Sequence, residues 1–220
     1  MGCLMKFIFG TVLGLASFLS VGLAHAGTIA YDNGAVAQNQ NYGGSLGLDF
    51  TVNGPISINQ LGAFDSRLVA NLAGRDGRSG VTVAIFNVAT GLQVGPSVTF
   101  SPTNAGTMIN GDAFMSVKPF TLTSGTYSIV AANDINYNSQ GGANPTSTEN
   151  SGGGLISFVG GGRYTGNNDP TLVFPTIVDA GPTNRYDAGT FSFSAVPEPA
   201  SLALFGLSLA GISAARRRRA

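Results

Sequence analysis

Between residues 27 and 195 the side chains able to do acid–base or ligand chemistry are nine aspartates and Glu149, and the stretch has no histidine, cysteine or tryptophan. The only cysteine, Cys3, and the only histidine, His25, both precede Gly27. Zinc sites of the Cys/His kind, Cys–His nucleophilic catalysis and the Ser–His–Asp triad each need a thiol or a base that titrates near neutrality, so all three are excluded from this stretch. Disulfides are excluded too, so stability must come from a packed core. What remains is carboxylate chemistry, such as a glycoside hydrolase with two acids about 5 to 9 Å apart. Most of the aspartates, however, stand beside Asn or Gly, as in Asp32-Asn33-Gly34, Asp76-Gly77 and Asn168-Asp169-Pro170. A short acceptor there serves the backbone of a turn. The reading is therefore of a protein that is not an enzyme, with the hydrolase as the least favoured alternative.

Two further patterns could bind a ligand. Asp134, Asn136 and Asn138 place oxygens at alternate positions, as a calcium loop begins, but Ser139 stands where that loop needs glycine and Pro145 where it needs a bidentate Glu. The expectation is an ordinary polar loop, with no metal and no cofactor. Tyr31, Tyr42, Tyr137, Tyr164 and Tyr186 lie near loops, where a ring can stack on a sugar face and leave its hydroxyl for hydrogen bonding. Tyr127 sits in a strand-like run and reads as core. These tyrosines make a carbohydrate-binding module the alternative function, weakened by the lack of tryptophan. The glycines at 160–162 are followed by neither Lys-Ser nor Lys-Thr and are no phosphate loop. With six basic against ten acidic side chains between residues 27 and 195, there is no basic stripe for nucleic acid.

The elements that must position these groups read as strands. The same stretch is rich in Gly, Thr, Ser, Asn and Val and poor in Glu and Lys, which favours strands joined by tight turns over helices. Runs are predicted at 28–31, 46–52, 56–64, 81–86, 94–100, 114–120, 126–130, 155–159 and 190–194. The turn at Ala89-Thr90-Gly91 puts glycine where φ is positive, and Pro119 marks a strand end or an edge. Residues 133–154 are almost wholly polar and read as a long loop. Eight or nine short strands predict an all-β chain, an antiparallel β-sandwich of jelly-roll or immunoglobulin-like form.

The two ends carry addresses. Lys6, an apolar run from Phe7 to Leu23 and the small residues Ala24 and Ala26 read as a signal peptide cut before Gly27, which implies the Sec machinery and signal peptidase as partners. At the other end, Val196-Pro197-Glu198-Pro199 is an extended leash, because each proline fixes its own φ and keeps the residue before it out of the helical region. Ala200 to Ala215 follows without a charge, about 24 Å long as a helix and just able to span a bilayer. Arg216, Arg217, Arg218 and Arg219 stop transfer and hold the C-terminus in the cytoplasm. The predicted division is a signal peptide at 1–26, a β-sandwich at 27–195 and a sorting segment at 196–220, with helices at both ends of the chain.

The Val-Pro-Glu-Pro leash, the short apolar span and the terminal arginines, in that order, resemble the PEP-CTERM sorting signal of Gram-negative surface proteins. The resemblance implies transient anchoring in the inner membrane and processing near Pro197 to Pro199 by an exosortase-like membrane protease. It further implies release to the cell surface or extracellular matrix, with a structural or adhesive role linked to exopolysaccharide and biofilm. A second stretch, Leu61 to Asn133, with Leu-Gly-Ala-Phe-Asp, Val-Ala-Ile-Phe-Asn-Val-Ala-Thr-Gly and Leu-Thr-Ser-Gly-Thr-Tyr-Ser-Ile-Val-Ala, resembles the uncharacterised β-sandwich domain of many such proteins. That implies a fold and no activity.

Overall fold

The computed structural model describes residues 27–32, 42–64, 80–101, 103–133, 148–181 and 186–196. The helices expected at the two ends of the chain lie outside these residues, as do Asp134, Asn136, Tyr137 and Asn138. Among the described residues no helix is long and apolar enough to cross a membrane.

The chain is all-β, with antiparallel sheets. The strands are β1 (Thr28–Ile29), β2 (Tyr31–Asp32), β3 (Ser45–Val52), β4 (Ile56–Phe64), β5 (Val81–Asn87), β6 (Gln93–Phe100), β7 (Thr107–Ile109), β8 (Asp112–Leu122), β9 (Gly125–Ala132), β10 (Thr148–Glu149), β11 (Ile156–Tyr164), β12 (Ile177–Val178) and β13 (Gly189–Ala195). One sheet has the order β1-β13-β4-β8-β7 and a second the order β12-β11-β3-β9-β5-β6, with β10 and β2 forming a small pair.

Strand alternation builds one core between the two large sheets. Leu46, Leu48, Phe50 and Val52 point one way from β3 and are buried, and they meet Ile56, Ile58 and Leu61 of β4 with Phe191 and Phe193 of β13. The rings bridge the layers: Phe50 lies 4.7 Å from Phe191 and 6.0 Å from Tyr127, and Phe191 lies 5.7 Å from Phe193. Tyr127 is core, as its strand position predicts, with its hydroxyl donating to the Thr123 carbonyl at 3.0 Å. The turn after β5 places Gly91 at φ 66°, and the Asn87 side chain accepts from the Ala89 and Thr90 amides.

Four expectations need correcting or narrowing. The run at 28–31 is not one strand: β1 ends at Ile29, the Ala30 amide still donates to the Phe191 carbonyl at 2.9 Å, and Tyr31 pairs with Glu149 while its amide donates to Thr190 Oγ1 at 3.2 Å. Pro119 does not end β8 but does lie on an edge, because β7 pairs only with Asp112 to Phe114. It sits inside the strand where Ile58 and Gln60 face Phe120 and Ser116, so extra residues bulge out and the missing N–H breaks no ladder bond. The glycines at 160–162 continue β11 through a bulge between Phe158 and Gly162, with Gly160 at φ 79°. The polar stretch beginning at 133 is not loop throughout, since β10 lies within it.

Candidate functional site

The two ends of the described body leave it side by side. Thr28 of β1 faces Phe193 of β13, and β13 continues through Ala195, paired with Ile56, until the Val196 amide donates to the Pro55 carbonyl at 3.1 Å. The sorting residues Pro197, Glu198 and Pro199 and the cluster Arg216 to Arg219 follow outside the described residues. Gly27, the expected first residue after signal cleavage, lies against Asn59 and Ser192 on these same strands.

Strand directions gather four connections at that end: residues 53–55, 88–92, 123–124 and 150–155. Three of them are tied together. Ser124 Oγ donates to the Asn53 carbonyl at 3.2 Å, Asn53 Nδ2 donates to the Gly154 carbonyl at 2.9 Å, and the Asn53 amide donates to the Leu155 carbonyl at 2.8 Å. None of the four connections carries a charged residue. Asp112 and Asp187 stand at the opposite end, where β4 finishes at Phe64 and β13 has yet to start.

A second constellation, which sequence reading missed, lies on the outer face of the β11–β3–β9–β5 layer. Asp49 and Ser128 face each other across β3 and β9, and Arg163 enters from β11. Arg163 Nε–H is shared by both Asp49 oxygens, at 2.9 and 2.8 Å, and the guanidinium carbon sits 5.3 Å from the Phe174 ring centroid. The side chains are only 15% and 7% exposed because residues 165–176 strap over them. Ser45 holds the strap: its Oγ donates to the Thr171 carbonyl at 3.3 Å and accepts from the Val173 amide at 3.1 Å. Leu172 and Phe174 then cover Ala84, Phe86 and Val130. Aspartate and arginine 114 residues apart give no local signal, so only the pairing of β11 with β3 reveals them.

Within the strap Asp169 behaves as its turn context predicts. Its Oδ1 accepts the Thr171 amide at 2.9 Å, and that bond, with a second from the Thr171 side chain, lowers its pKa below the ordinary aspartate value against a small opposing desolvation. A lowered folded-state pKa means the carboxylate's contribution is present above the unfolded value and lost as pH falls through the folded one. Acidification through that range is therefore expected to lower the protection factor of the Thr171 amide, its exchange rate taken relative to the intrinsic rate at the same pH, while the amides of β3 and β9 stay protected. A protection factor at Thr171 that holds constant through the acid range would disprove it.

The tyrosines do not form an open stacking platform. Tyr31 is buried in the core, and its ring lies 6.0 Å from Phe158. Tyr186 is buried against the core and meets half-buried Tyr164 edge-on at 6.4 Å. The Tyr42 hydroxyl is spent on the carbonyls of Thr165 and of Asn167, the latter at 2.6 Å. Of the candidate sugar contacts, Tyr164 and Tyr186 are thus brought together and Tyr42 is placed on the strap, while Tyr137 lies outside the described residues. Among the described residues no group of three or more acidic, His or Cys side chains could hold a metal ion.

Compared with known proteins, residues 195–219 match the family model of the PEP-CTERM protein-sorting motif. The match starts at the last residue of β13. That motif marks an exported protein whose membrane-anchored precursor is processed by an exosortase, itself a membrane protein. No curated protein and no solved structure matches the chain.

Proposed function

We propose that this chain, which carries a PEP-CTERM sorting motif at residues 195–219, delivers a non-catalytic β-sandwich to the cell surface or extracellular matrix, where it acts as a structural or adhesive component alongside exopolysaccharide in a biofilm. The Sec machinery and signal peptidase handle the leader at 1–26, the exosortase removes the tail, and the inner membrane holds the precursor only in between. The observation that carries this reading is the sorting motif's start at the point where β13 leaves the sheet, so that cutting there detaches the body whole.

The body suits such a role. Its two large antiparallel sheets, β1-β13-β4-β8-β7 and β12-β11-β3-β9-β5-β6, share one core, which suits a stable, non-catalytic scaffold. Among the described residues its candidate sugar-stacking rings are turned inward or tied to the backbone, which favours the structural reading over the carbohydrate-binding one.

Intact mass and terminal peptide mapping of the protein from membrane and extracellular fractions of its own host test the proposal. The expected surface form begins at Gly27 and ends near Pro197 to Pro199. Recovery only of a form that keeps Arg216 to Arg219 in the inner membrane would refute it.

A further inference from the structure

We infer that the end of the body formed by residues 53–55 and 123–124, where no connection carries a charged side chain, is the surface that docks against the membrane protease during removal of the tail. The inference rests on the sorting reading above and adds to it where on the body the protease must sit.

The geometry is one of reach. Val196 is still hydrogen-bonded to Pro55, so the chain is anchored to the body until that residue. Three further residues, even fully extended, carry Pro199 no more than about 11 Å from Val196. A protease that cuts between Pro197 and Pro199 must bring its cleft within that distance, and the nearest surfaces are the connections on either side of the start of β4. Those are Asn53-Gly54-Pro55, which leads into β4, and Thr123-Ser124, which leaves its neighbour β8. Asn53, Pro55, Thr123 and Ser124 are exposed.

Order of synthesis makes the contact one with a folded body. In the described pairings β1 joins the large sheets only through β13, so the N-terminal seam closes only once the last strand exists. Signal cleavage before Gly27 precedes that closure, whereas the tail is presented after it.

The chemistry of the end fits the partner. A tight contact beside an enzyme embedded in the membrane removes water from whatever faces it, and a carboxylate placed there loses hydration that no partner restores. The four connections at this end carry no charge, and the body's buried acids Asp112 and Asp187 stand at the far end.

The test is pulse–chase of the full-length protein in its host, following loss of the arginine-bearing tail by mass. The double variant Gly54→Asp/Ser124→Glu places two carboxylates on the docking end, where a side chain at Gly54 meets only the Leu155 side chain at 3.6 Å. Tail removal is expected to slow at least tenfold. A flexible linker of ten Gly and Ser residues between Val196 and Pro197, with a root-mean-square reach of about 17 Å, is expected to restore it by freeing the cleft from the end face. The single variant Thr123→Glu keeps every described side-chain hydrogen bond and is expected to slow removal in the same direction, which covers any loss of folding in the double variant. Removal of the tail from Thr123→Glu at the unaltered rate overturns the inference, and so does slowing that the linker fails to relieve while the urea midpoint is unchanged. If the unaltered chain keeps its tail, the sorting reading itself fails.

Discussion

Replacing Arg163 with methionine is expected to destabilise the body by about 3 to 5 kcal/mol, because it strands the Asp49 carboxylate under the strap with its cation gone. Asp49 is 7% exposed, and both its oxygens accept from the one Arg163 Nε–H. Water cannot readily replace that donor while Phe174 lies over the guanidinium and Gly161 lies close against the carboxylate. The double variant Asp49→Leu/Arg163→Met removes both charges and is expected to recover most of the loss, since an apolar pair of similar volume is often as stable as a buried ion pair. Urea denaturation of wild type, both single variants and the double variant completes the cycle. Single variants with wild-type midpoints would mean that the strap admits water freely, and the account of this site would then fail.

Phe50→Ala is expected to cost about 3 to 5 kcal/mol, a large share of the stability of a domain this size. The ring is fully buried and joins the two sheets through Phe191 at 4.7 Å while touching the Tyr127 ring at 6.0 Å, so its removal leaves a cavity that neither sheet can close alone. Thr51→Ala, one residue along, is expected to change stability by less than about 0.5 kcal/mol, because its side chain points to the opposite face and makes only a 3.5 Å contact with Thr126. Similar midpoints for the two variants in urea would contradict the assigned facing of β3.

How far the fold could be read in advance follows from where its information lies. Alternation is local, so β3, β4, β5, β6, β9 and β13 are legible in their own residues, and Gly91 announces its turn in three letters. Pro119 lies inside its edge strand and β11 runs on past 159 through the glycines at 160–162 for one reason: each sits at a bulge that exists only because a partner strand is two residues shorter there. The tyrosines misled because nearness to a loop in sequence does not fix exposure. Tyr186 precedes a strand yet is folded against Tyr164, which comes from another strand.

The sequence alone determined that this protein carries an export-linked sorting motif, that it is strand-rich, and that residues 27–195 hold no imidazole or thiol. A sorting motif is read as a linear string by a membrane protease, strand alternation is written in neighbouring residues, and a residue type absent from a stretch stays absent from it in any fold. Only the tertiary structure decided that Asp49 meets Arg163, that a strap covers one outer sheet face, and that the chain's two exits stand together at an end whose connections carry no charged side chain. Each of these depends on the pairing of strands far apart in the chain, whose register is set by burial of both faces at once and by no local pattern of residues.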